Sequence, residues 1–113
     1  MNENSPTPET ADGNLRELVR RLVRAYEPQR IYLFGSAARR DAGEASDYDL
    51  MIVVPDSAPQ ARRRSRIGYE ALRGTGIAAD VLVCSESYFD RRAHLAASLP
   101  ATILREGRLV YAA

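Results

Sequence analysis

Residues 31–54 read IYLFGSAARRDAGEASDYDLMIVV: two apolar, β-favouring runs joined by a polar connection that opens on Gly35-Ser36 and closes on Ser46-Asp47-Tyr48-Asp49. Ile31 to Phe34, halted by Gly35, is expected to be a buried strand entering a tight turn. Tyr48 to Val54, stopped by Pro55, is expected to be a second. Side chains two apart on a strand share a face, so Asp47 and Asp49 point one way and Tyr48 and Leu50 the other. Leu50, Ile52 and Val54 then carry the opposite, core face, while Met51 and Val53 keep even the carboxylate face apolar further along. The two carboxylates form a pincer at the entrance of the strand.

A third apolar run, Ile77 to Cys84, is interrupted by Asp80. An ionised carboxylate buried in such a strand costs several kcal/mol unless it is paired or bound to a metal, so Asp80 calls for a partner. Three carboxylates on neighbouring strands repel one another, and divalent cations relieve that repulsion while leaving positions open for phosphate oxygens. With one Cys, one His and no CxxC pair, a structural zinc site is excluded; a metal here is held by carboxylate oxygens, which points to Mg or Mn. Gly35 lets the chain turn sharply and approach a ligand. Ser36 would open a short helix containing Arg39 and Arg40, whose free amide N–H groups suit a triphosphate. A Gly-Ser alone is only a helix start, and an Asp-x-Asp alone is commonly a solvated strand entrance. Their conjunction carries the information.

Around this centre the chain has the size of one domain, 113 residues, with 45% hydrophobic and 27% charged residues, near globular averages, so neither a disordered chain nor a coiled coil is indicated. Residues 1–11, polar and with two prolines, are expected to be a disordered tail before a domain spanning 12–113. Leu15, Leu18, Val19, Leu22, Val23 and Tyr26 recur on one helical face, closed by Pro28. A helix is expected between Ala58 and Arg73, another from Tyr88 to Leu104 with a break at Pro100, and an edge strand over Arg108 to Tyr111. The alternation of helices and strands gives an α/β (α+β) class with a sheet covered by helices. Sixteen basic residues balance fifteen acidic ones, so direct nucleic-acid binding is not expected. All sixteen are Arg, which excludes lysine-dependent chemistry such as a Schiff base or a P-loop. No apolar run approaches membrane-spanning length, Cys84 has no internal disulfide partner, and the first residues lack a secretory pattern; a cytoplasmic protein is the expectation. Arg62 to Arg64 with Arg66 reads as a solvated helix face, His94 as a surface or packing residue and Cys84 as a small buried hydrophobe.

On these residues the sequence resembles the minimal nucleotidyltransferases (MNT) of the DNA polymerase beta superfamily, which include aminoglycoside nucleotidyltransferases and MNT-type antitoxins. The signature is Gly-Ser, ten residues, then Asp-x-Asp in a Ser-Asp-x-Asp-Leu context. Gly35, Ser36, Ser46, Asp47, Asp49 and Leu50 match it, Asp80-Val81-Leu82 matches the setting of the third carboxylate, and residues 104–111 resemble the usual end of the domain. Ala37 and Arg40 depart from the common Gly-Ser-Arg-Ala-Arg-Gly, which implies shifted phosphate contacts. The resemblance covers about residues 14 to 112. It implies a DNA polymerase beta-like nucleotidyltransferase fold with a small mixed sheet covered by helices. It also implies two Mg ions held by Asp47, Asp49 and Asp80, and a triphosphate cradled by Gly35 and Ser36 with help from Arg39. Asp80 would help to deprotonate an acceptor hydroxyl as it attacks the α-phosphate of ATP.

The chain leaves no room for a second domain to grip an acceptor, so the acceptor is expected on another protein. Small MNT proteins resemble the antitoxins of HEPN/MNT pairs, which implies transfer of AMP to a tyrosine of a HEPN-domain toxin. The only His, His94, lacks an Arg at the upstream spacing of a HEPN motif, so this chain is not itself the RNase. Two alternatives stand beside this reading: an antitoxin that masks its toxin by binding alone, and a stand-alone small-molecule nucleotidyltransferase.

Overall fold

The computed structural model describes residues 8–35, 38 and 47–113. The first helical pattern is realised as α1, Pro8–Tyr26. Leu15, Leu18, Leu22 and Tyr26 fall on one stripe and are buried. On its outer side Glu17 is flanked by Arg20 at 2.7 Å and Arg21 at 2.8 Å. The helix takes in Pro8 to Ala11, assigned to the tail by composition; a proline is tolerated in a first turn, where its missing N–H has no helical partner. It ends where Glu27 turns left-handed, φ 50°, and Pro28 follows.

Four strands, β1 (Arg30–Phe34), β2 (Tyr48–Val54), β3 (Ala79–Ser85) and β4 (Arg108–Ala112), form a sheet in the order β3-β2-β1-β4. β1 is antiparallel to both its neighbours, and β2 is parallel to β3, so the sheet is mixed. β2 has apolar side chains on both faces, as the sequence pattern required. Leu50, Ile52 and Val54 join Ile31, Leu33 and Val81 beneath α1. Met51 and Val53 join Tyr32, Phe89 and Ile103 on the other side. There Tyr32 and Phe89 stack, centroids 5.1 Å apart, and the guanidinium of Arg30 lies over both rings.

The parallel connection from β2 to β3 runs through a 3-10 turn, Gln60–Arg63, and the helix α2, Ser65–Ala71. One continuous helix was expected there. It is interrupted at Arg64, whose carbonyl accepts a hydrogen bond from the buried Tyr26 hydroxyl at 2.6 Å, while that hydroxyl accepts the Gly68 N–H at 2.8 Å. After β3 come α3 (Glu86–Arg92) and α4 (Leu99–Glu106), opened by Ser85 and Ser98, whose hydroxyls accept the N–H of Tyr88 and Ala101. The break expected at Pro100 lies just before it; Pro100 itself stands in the first turn of α4, the one helical place its geometry favours. Among the described residues no helix is long and apolar enough to cross a membrane.

Candidate active site

The carboxylates meet at one end of the sheet because of register. Asp49 on β2 lies between Phe34 of β1 and Asp80 of β3, and Asp47 immediately precedes β2. Asp47 is exposed and Asp49 partly buried. Burial, then the Asp80 carboxylate, then that of Asp47 push the Asp49 carboxyl above its ordinary pKa of 3.8. Asp49 therefore feels both of the other carboxylates.

Gly35 closes the other side. Its φ of 76° is left-handed, and a Cβ at this position would run into the Asp49 carboxylate. The glycine both turns the chain out of β1 and leaves the space in which Asp49 sits. Its carbonyl accepts the Ala38 N–H at 3.1 Å. Ser36 and Arg39, the other expected phosphate contacts, and Ser46 lie outside the described residues.

Asp80 corrects an expectation. The apolar run around it implies a buried carboxylate in need of a partner, yet it is exposed. β3 is an edge strand, and while Val81 turns into the core beneath α1 and α2, the opposite face of β3 is open: Leu82 is 42% exposed. The desolvation penalty does not arise. Asp80 nevertheless has a neighbour, the hydroxyl of Tyr69 on α2, which donates to Oδ1 at 3.4 Å and accepts the Val81 N–H at 3.1 Å. Sequence reasoning missed Tyr69 because the contact joins two elements; no local pattern connects a helix tyrosine to a carboxylate eleven residues on.

Further along the same face, one strand pleat beyond Asp49 and Asp80, Met51, Leu82 and Cys84 floor a groove of about 530 Å³ whose wall includes Tyr88 and Leu99 and whose rim carries Arg63 and Arg92. Cys84 meets Met51 sulfur to sulfur at 3.7 Å, and burial pushes its thiol up to about 11, the behaviour of a small hydrophobe and not of a nucleophile. Arg62, Arg63 and Arg66 are engaged by Glu27, by the Ala58 and Asp56 carbonyls, and by Glu70. His94 is exposed.

Hard oxygen donors and accumulated negative charge fit a divalent cation of the Mg class. The side chains adjoin without converging: among the described residues no three of His, Cys, Asp and Glu are grouped closely enough to form a preassembled cage. The set is open, as in a centre that shares its cation with a phosphate-bearing substrate.

Two solved structures share this architecture. A candidate nucleotidyltransferase from Sulfolobus solfataricus is 19% identical, over 97% of this chain and 93% of that one, with a TM-score of 0.54. A toxin-antitoxin structure with AMP-PNP is 18% identical, over 85% of this chain and 72% of that one, with a TM-score of 0.55. No match was found among curated proteins. The mixed sheet with helices on both faces is the DNA polymerase beta-like nucleotidyltransferase fold, and residues 15–110 match the nucleotidyltransferase domain, the family to which this chain belongs.

Proposed function

We propose that the protein, through a single domain over residues 12–113, transfers AMP from ATP to a hydroxyl of a partner protein, a tyrosine of a HEPN-type toxin, and so acts as an antitoxin in the cytoplasm. The observation that carries this reading is the register of β2 and β3, which sets Asp49 beside Asp80, with Asp47 two residues before Asp49 in the chain. Family membership supports nucleotidyl transfer, and the toxin-antitoxin neighbour bound to AMP-PNP supports the partner and the nucleotide.

In this reading Asp47, Asp49 and Asp80 hold two Mg ions, and Gly35, Ser36 and Arg39 hold the β- and γ-phosphates. When bound, the cations neutralise carboxylates and triphosphate together and favour the charge that grows on the α-phosphate oxygens. Gly35 leaves the carboxylate of Asp49 unobstructed toward the ligand. The exposed Asp80 accepts the proton of the acceptor hydroxyl as its oxygen attacks the α-phosphorus and pyrophosphate departs. The apolar groove beside the carboxylates offers a surface for the chain that brings the acceptor.

The test is incubation of the protein and its co-purified partner with Mg and ATP labelled at the α- or the γ-phosphate. Label reaching a partner tyrosine only from the α-position, and lost in Asp49→Asn, is the expected result. Transfer from the γ-position would mean phosphoryl transfer and overturn the mechanism. A second reading, masking by binding alone, is favoured by the exposed Leu82, Tyr88 and Leu99 of the groove. It predicts that the Asp47→Asn, Asp49→Asn double variant still neutralises the toxin.

A further inference from the structure

Tyr69 is 45% exposed, and its hydroxyl is in contact with the carboxylate that the reading above makes the proton acceptor. Resting on that reading, we propose that Tyr69 is itself a nucleotidyl acceptor, so that the protein carries a self-modification site at the edge of its own sheet. Three observations meet at this oxygen. It lies 3.4 Å from Asp80 Oδ1, within reach for passing its proton there. It accepts the backbone N–H of Val81 at 3.1 Å, a donor whose bond strengthens as negative charge grows on the phenolic oxygen. The ring lies at the surface, where a nucleotide held by the neighbouring carboxylates would meet it without opening the core.

The step balances with a nucleoside triphosphate as the only co-reactant. Tyr69 Oη forms a bond to the α-phosphorus while the bond from that phosphorus to the bridging oxygen of the β-phosphate breaks. Pyrophosphate carries away that electron pair, and the phenolic proton passes to Asp80. The product is a phosphodiester on Tyr69. It removes the O–H that Asp80 had as donor and sets a new negative charge beside it, so modification opposes a second round of transfer at the same centre.

The experiment uses the full chain without a partner, incubated with Mg and α-labelled ATP, followed by intact-mass measurement and peptide mapping. Magnesium-dependent binding of ATP and labelling of the co-purified partner are read in parallel. The expected result is one added nucleoside monophosphate, mapped to Tyr69 and absent from Tyr69→Phe. A label mapping to another residue, such as Tyr88 or Tyr48, overturns the proposal whatever the state of the variant. So does a wild-type protein that binds ATP and labels its partner while remaining unmodified, in which case the transferase reading stands alone. Failure of the wild type to bind ATP or to transfer it at all removes both.

Discussion

At Gly35 one absent carbon decides whether the Asp49 carboxylate has a place. Gly35→Ala puts a methyl into that space and asks an L-residue to hold a φ of 76°, which costs about 1–2 kcal/mol. Its melting temperature is expected to fall by several degrees while its far-ultraviolet circular dichroism stays native, and nucleotidyl transfer is expected to vanish because Asp49 is displaced. A variant with wild-type turnover would show that Asp49 does not act from this position. Asp49 itself lends a pH signature. Its folded pKa is raised, so the fold binds the proton more tightly than the unfolded chain does, and the ionised form is a penalty present above the folded pKa and absent below the ordinary value of 3.8. In metal-free buffer at neutral pH, Asp49→Asn is expected to be more stable than wild type by roughly 0.2–1 kcal/mol, the scale of facing like charges. Denaturant titrations should show that gain shrinking as the pH is lowered toward 4, and a constant difference would refute a carboxyl raised by burial and by its acidic neighbours. Asp49 was legible as a carboxylate at the entrance of its strand, while Asp47, expected on the same strand, lies just before it and is exposed. That Asp80 adjoins Asp49 was expected from the motif, but its exposure was not, since nothing within Ile77 to Cys84 says that the strand lies at an edge.

Among the elements, the junction of α1 with α2 depends on one hydroxyl. Tyr26 ends α1 with its ring fully buried, and its Oη serves both the Arg64 carbonyl and the Gly68 N–H. Tyr26→Phe keeps the ring and strands both backbone groups, a loss of about 1–3 kcal/mol. Calorimetry should find a melting temperature lower by roughly 4 °C or more; an unchanged value would mean that water replaces the hydroxyl. The same bond explains where sequence reading stopped. Periodicity and apolar runs located α1, β1 and β2 because each carries its own buried face. The stretch from 58 to 73 has few apolar positions, and its division into a turn and a short helix is imposed by a tyrosine more than thirty residues earlier. Pro100 was recognised as punctuation, while its place inside the first turn of α4 depends on Ser98 as the cap.

For the whole molecule, the decisive quantity is where charge sits, not how much there is. A net charge of +1 gives no long-range attraction for a triphosphate, and the site that would receive one presents three carboxylates. ATP alone therefore meets repulsion, and Mg alone meets carboxylates that adjoin without converging. In the proposed function only the two together would complete the centre, which would make them thermodynamically coupled, each raising the affinity for the other by the same factor. A ligand present at a hundred times its Kd stabilises the native state by about 2.7 kcal/mol, on the order of 10 °C for a domain of this size. Thermal-shift measurements are expected to show that displacement with Mg and a non-hydrolysable ATP analogue combined. Either ligand alone should give much less, and Asp47→Asn, Asp49→Asn should abolish the synergy. An equal shift from the analogue in the presence of EDTA would mean that the triphosphate is held without a shared cation, and that the three carboxylates do not form its binding site.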